Sequence, residues 1–251
     1  MNKSFLNFAE PLLTVMLQCE TPEIAIGRIR NSNALGADAF GLQVETLLPE
    51  YHKPETYKRI FAEMQEKPCY VTNYRSRSNK DKSDDELADG LITLAQCSNL
   101  LCDVMGDMFD KHPEELTDNS LAIEKQMKLI DKLHSLGSEV LMSSHILNFT
   151  PAERVLEVAF EQKRRGADII KIVTGADTME QQTENLKIAE MLSRELDVPY
   201  LFLSGGKSEL LRKLGIKLGC CMCLCVYEHD ALSTPAQPLL ATMKTIRDCF
   251  N

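Results

Sequence analysis

Eight short apolar runs recur along the chain, at 12–17, 37–44, 69–74, 100–105, 139–144, 168–173, 199–204 and 218–226. They are nearly continuous in apolar character rather than alternating, which is the pattern of parallel strands covered on both faces. Between them, charged and apolar residues mix at helical spacing and predict helices over 21–31, 54–66, 83–96, 119–136, 150–165, 178–196 and 238–250, with a shorter one near 208–214. Thr21 before Pro22 reads as an N-cap followed by a first-turn proline. Ser83 with Glu86, and Thr150 with Glu153, read as capping boxes. Gly36, Gly137 and Gly166 each stop a helix and are followed by a small residue and an acid before the next strand.

Repeated strand–helix units of this kind argue for an α/β fold with a parallel sheet. Eight such units in 251 residues fit one closed (β/α)8 TIM barrel, a single domain over residues 1–251. No G-x-G-x-x-G follows the first strand, which weakens a dinucleotide-binding alternative. The polar segment 73–85 reads as a mobile loop after the third strand.

Composition narrows the partners. The net charge of -9 argues against nucleic acid, which needs a basic surface. No run is long and apolar enough to span a membrane, and no apolar segment follows a basic start at the N-terminus, so the chain reads as cytoplasmic. The nine cysteines are odd in number and show no disulfide spacing. Four of them, Cys220, Cys221, Cys223 and Cys225, cluster in the last apolar run, either as small core residues or as metal ligands. A strand sets Cys221, Cys223 and Cys225 in a row on one face and Cys220 on the other, which favours packing over converging ligands.

In a barrel of this type reactive groups gather at the C-terminal ends of the strands. Lys171 interrupts the sixth apolar run. It is either a lysine snorkelling from a sheet edge or a desolvated amine suited to attack a carbonyl. His145 stands where the fifth strand ends, as a loop histidine bonded to backbone or as a proton-transfer group. Strands five and six are neighbours about 4.8 Å apart, so the two side chains can reach one substrate. Arg75 ends the third strand, where it is a hydrated loop cation or a carboxylate ligand. Ser204 and the 233–237 segment follow strands seven and eight.

Together these residues resemble type I 3-dehydroquinate dehydratase, the Schiff-base class, over roughly Phe5 to Phe250. The most specific match is Val140-Leu141-Met142-Ser143-Ser144-His145 followed by Gly166-Ala167-Asp168-Ile169-Ile170-Lys171-Ile172. Ser233-Thr234-Pro235-Ala236-Gln237 is similar to the family's Ser-Ala-Pro-Gly-Gln loop, and Lys171 and Ser233 stand at the family's separation. The segment from Thr72 to Ser76 is similar to the family's Thr-Phe-Arg-Ser. The resemblance implies a (β/α)8 barrel, usually a homodimer, with neither metal nor organic cofactor, acting on a small keto substrate in the shikimate pathway of aromatic amino acid biosynthesis. It implies that Lys171 forms an imine with 3-dehydroquinate and that His145 removes the C2 proton and then protonates the departing hydroxyl. Arg75, Ser233 and Gln237 are the implied substrate ligands, with Arg212 or Lys213 at the substrate carboxylate.

The chain departs from the family where the second strand carries Glu-x-Arg. Here the stretch reads Gly41-Leu42-Gln43-Val44-Glu45. The family's Glu-Gly-Gly after the arginine, whose glutamate orients the histidine, is matched by Asn79-Lys80-Asp81, with Asp81 or Asp84 as stand-ins. Three functions follow: dehydroquinate dehydratase, a Schiff-base lyase, aldolase or dehydratase for another hydroxylated keto compound, and a non-catalytic barrel that binds a metabolite.

Overall fold

The predicted runs form strands because their residues bury both faces. The computed structural model describes residues 4–6, 8–206 and 209–250. Its strands are β1 (Leu12–Leu17), β2 (Ala39–Gln43), β3 (Cys69–Thr72), β4 (Leu101–Met105), β5 (Glu139–His145), β6 (Ile169–Thr174), β7 (Tyr200–Ser204) and β8 (Met222–Cys225). They pair in parallel in the order β7-β6-β5-β4-β3-β2-β1-β8. A parallel bridge between Tyr200 and Cys220, with the Cys221 N–H donating to Tyr200 C=O at 2.9 Å, joins the two ends of the sheet. The result is the predicted (β/α)8 barrel.

Eight helices cover it: α1 (Pro22–Ala34), α2 (Pro54–Glu63), α3 (Asp84–Ala95), α4 (Ser120–Ser135), α5 (Ala152–Arg164), α6 (Met179–Glu195), α7 (Glu209–Leu214) and α8 (Leu240–Cys249). The expected start of the short helix at Ser208 lies outside the described residues, as do Met1–Lys3 of the N-terminus. Thr21 caps α1 and Ser83 with Glu86 forms the expected capping box on α3. The box expected at Thr150 does not form. Pro151 takes the N-cap position, and the Thr150 hydroxyl donates to Asn148 C=O at 3.2 Å instead.

The segment after β3 is not a free loop. Asn79 Nδ2 donates to Asn73 Oδ1 at 2.7 Å, Ser78 Oγ donates to Glu45 C=O at 2.8 Å, and Arg75 is held on two sides. Side-chain bonds therefore order what its polarity suggested was mobile. Cys220, Cys223 and Cys225 are buried in the core. The expected row of three does not extend to Cys221, because β8 begins only at Met222.

Candidate active site

The fifth and sixth strands supply the two residues that stood out in the sequence. Their register pairs Ser143 with Lys171 and His145 with Val173. Gln162 of α5 fixes both strands from outside the barrel. Its Nε2 donates to Ser144 Oγ at 2.9 Å and to Lys171 C=O at 3.2 Å, and its Oε1 accepts from Lys171 N–H at 3.2 Å. Lys171 and His145 line one cavity of about 220 Å³ at the C-terminal mouth of the barrel.

Lys171 is only 4 % exposed, so its amine must find partners inside. Nζ donates to Tyr74 Oη at 2.7 Å and to Tyr70 Oη at 2.9 Å, and pairs with Asp103 Oδ2 at 3.1 Å. Both tyrosine hydroxyls donate to Asp103 Oδ2, and Ser143 Oγ donates to its other oxygen at 2.5 Å. Burial, and then the Asp103 charge, push both phenols well above their usual range, so they stay protonated. The snorkelling alternative is excluded by this closed set of contacts.

His145 Nδ1 lies 2.6 Å from Glu115 Oε2, which also accepts the His145 backbone N–H at 3.0 Å. Burial opposes charge on Glu115, but the hydrogen bonds from His145 outweigh it and hold the carboxyl below its usual range. A carboxylate only accepts, so Nδ1 carries a proton, and in the neutral ring Nε2 is the nitrogen left to accept one. The acid expected at Asp81 or Asp84 is therefore supplied by Glu115, from the loop between β4 and α4. Asp84 instead binds Arg75, with Nε–Oδ1 at 2.6 Å.

Arg212 and Gln237 line the same cavity as Lys171. Arg212 Nε donates to Ser204 C=O at 2.8 Å, and burial lowers the guanidinium's proton affinity. Gln237 is 7 % exposed, and its Oε1 has no hydrogen-bond partner among the described residues. Lys213 faces an adjoining cavity of about 280 Å³ that shares Arg212 and Gln237. Ser233 is turned away: its Oγ accepts from Asp230 N–H at 2.8 Å and donates to Asp230 C=O at 3.0 Å. Thr234 lines the cavity in its place.

Arg75 is also outside the cavity that holds Lys171. Strand alternation sends Tyr70, Thr72 and Tyr74 inward, and the next residue points away. Its guanidinium spans Asp84 and Asp107, at 2.6 and 2.7 Å, on the wall of a neighbouring pocket. A Cβ at Gly41 would meet Met16 Sδ and press on Tyr70 Cδ1, so a side chain there requires the Met16 thioether to move. Gln43, two residues on, faces the cavity.

A family model described as Type I 3-dehydroquinase matches residues 13–250. No curated protein matches the chain by sequence. Among solved structures, it is similar to 3-dehydroquinate dehydratase from Geobacillus kaustophilus HTA426, with a TM-score of 0.80 and 16 % identity over 98 % of this chain and 93 % of that one. The type I enzyme from Clostridium difficile gives 0.80 and 15 % over 98 % and 94 %. The enzyme from Aquifex aeolicus VF5 gives 0.70 and 20 % over 95 % and 98 %. At these identities the structural likeness carries the fold.

Proposed function

The chain belongs to the type I 3-dehydroquinase family and is a carbon–oxygen lyase, a dehydratase of the Schiff-base class, and from that premise we propose which residues do the work. Lys171 attacks the ring ketone of 3-dehydroquinate and loses water to give an iminium. The iminium draws electrons from the adjacent carbon, and His145 Nε2 removes the C2 proton. The same nitrogen returns a proton to the departing hydroxyl, and hydrolysis releases 3-dehydroshikimate and the free amine. The supporting observation is that Lys171 and a tautomerically fixed His145 reach one cavity from adjacent strands. Arg212 takes the substrate carboxylate. Gln237, whose buried Oε1 has no partner among the described residues, takes a hydroxyl.

Borohydride trapping tests this directly. Incubation with 3-dehydroquinate and reduction should leave one adduct on Lys171, read by intact mass and peptide mapping. A second reading, that the substrate is another hydroxylated keto compound, is favoured by the Met16 and Tyr70 atoms that fill the space beside Gly41. Adducts with other keto acids but none with dehydroquinate would select it. No adduct with any carbonyl compound would rule out Schiff-base chemistry.

We further propose a cytoplasmic homodimer. The nine cysteines are all free, which suits a reducing compartment. No described helix is long and apolar enough to cross a membrane. The family resemblance supports the dimer. Sedimentation equilibrium should give about twice 28.3 kDa, and the mass of one chain would overturn it.

A further inference from the structure

Imine formation moves two protons from the lysine nitrogen to the carbonyl oxygen, which leaves as water. Something must carry them. His145 is committed through Nδ1 to Glu115, and its Nε2 serves the carbon chemistry. Around the amine itself stands a different set. Tyr74 Oη accepts from Lys171 Nζ at 2.7 Å and donates to Asp103 Oδ2, forming a continuous N–H···O–H···O path. Its hydroxyl also lies 3.4 Å from Ser143 Oγ. Tyr70 makes a similar pair of bonds but is fully buried, whereas Tyr74 stands partly open on the cavity wall.

We propose, on the Schiff-base reading above, that Tyr74 is a further catalytic residue. It carries protons between Lys171 Nζ and the substrate's carbonyl oxygen, and Asp103 stores them in transit. In the first step a proton passes from the ammonium to Tyr74 Oη as the tyrosine's own proton passes to Asp103. Amine, phenol and carboxylic acid are then all neutral. The nitrogen lone pair forms the bond to carbon while the carbonyl oxygen takes a proton from Tyr74, which is refilled from Asp103. The adduct nitrogen then gives its second proton through the same hydroxyl to the carbinolamine oxygen. The carbon–oxygen bond breaks, water departs, and the nitrogen lone pair completes the iminium. Ammonium, carboxylate and ketone become iminium, carboxylate and water, with charge and protons balanced. The reverse path serves product hydrolysis. Two acid–base sets thus divide the reaction, with Tyr74–Asp103 serving the nitrogen and oxygen of the imine and His145–Glu115 serving the carbons.

The test is the rate of adduct formation, by rapid mixing with 3-dehydroquinate and timed borohydride quenching. Tyr74→Phe should form the Lys171 adduct about 100-fold more slowly, the usual size of one acid–base contribution, yet reach the wild-type plateau. His145→Ala should show the opposite, an adduct formed at the wild-type rate that accumulates without turnover. A merely structural role for Tyr74 does not produce that crossed pattern. Wild-type adduct kinetics in Tyr74→Phe would overturn the relay while leaving Lys171 chemistry intact. Failure of the wild-type protein to form any adduct would remove the Schiff-base reading and the relay with it. Should Tyr74→Phe lose its near-UV circular dichroism, Asp103→Asn decides. That variant keeps the shape but not the proton store, and adduct formation at the wild-type rate would equally overturn the relay.

Discussion

Replacing Glu115 by glutamine keeps the side chain's shape but lets it donate as well as accept. His145 Nδ1 can then be met as an acceptor, and the proton moves to Nε2 in part of the molecules. Glu115→Gln should lower kcat about 100-fold with little change in KM or in imine formation, as expected when one acid–base group is misdirected. Steady-state kinetics checks this, and an unchanged kcat would remove Glu115 from the site. Arg75 makes the opposite case. It looked like a substrate ligand, but its charge is spent between Asp84 and Asp107. Burial opposes charge on Asp84, while the hydrogen bonds from Arg75 hold its carboxyl below the usual range. A depressed carboxylate stabilises the fold above its unfolded value, and that contribution is lost as pH falls through the folded value. Arg75→Gln should therefore cost about 3 kcal/mol at pH 7, the scale for breaking a buried pair, and progressively less below about pH 4. Urea unfolding across that range would show it, and a pH-independent cost would contradict it.

At the scale of strands, the chain announced most of its architecture. The apolar runs locate all eight strands, because strands covered on both faces leave an unbroken signature. Their ends were less legible: the run 218–226 holds only the four residues of β8, since an apolar stretch packs equally well before a strand begins. In the site, Lys171 and His145 were visible because each breaks an apolar pattern or ends it. Asp103 breaks β4 in the same way, and that signal was there to be read. Tyr70 and Tyr74 were legible only once period-two alternation fixed which side chains point inward. Glu115 had no local signal, because its contact with His145 spans 30 positions of sequence. Ser233 matched a motif but spends its hydroxyl on Asp230. Lys171→Met leaves Asp103 buried without its cation and should cost about 3–5 kcal/mol, and the added change Asp103→Asn should restore most of it. Thermal and urea unfolding of both variants decide this, and equal stabilities would mean that the three hydroxyls alone satisfy Asp103.

On the scale of the whole molecule, the site is held from behind. Arg165 follows α5 and is 2 % exposed. Its guanidinium donates to Gly106 C=O at 2.9 Å, to Thr117 C=O at 2.6 Å and to Gln126 Oε1 at 2.9 Å. Those bonds bracket the loop that bears Glu115, and Ser144 Oγ ties Glu115 C=O to β5 at 2.8 Å. Arg165→Met should cost about 3 kcal/mol through Thr117 C=O and Gln126 Oε1 left without donors, and should also lower kcat without touching the cavity. Activity measured well below the variant's melting temperature separates the two effects, and full activity there would show that the loop holds Glu115 unaided.

Because the acid that orients His145 arrives on this loop, its ancestry is separable from that of the third-strand segment. An acid held at Glu115 leaves no need for one after β3 but depends on the bonds that Arg165 and Gln126 make to its loop. Related sequences should therefore carry Glu115, Gln126 and Arg165 together or lose them together. Those that lack them should keep the glutamate after the third strand. The two solutions would divide the family into branches recognisable before any member is assayed.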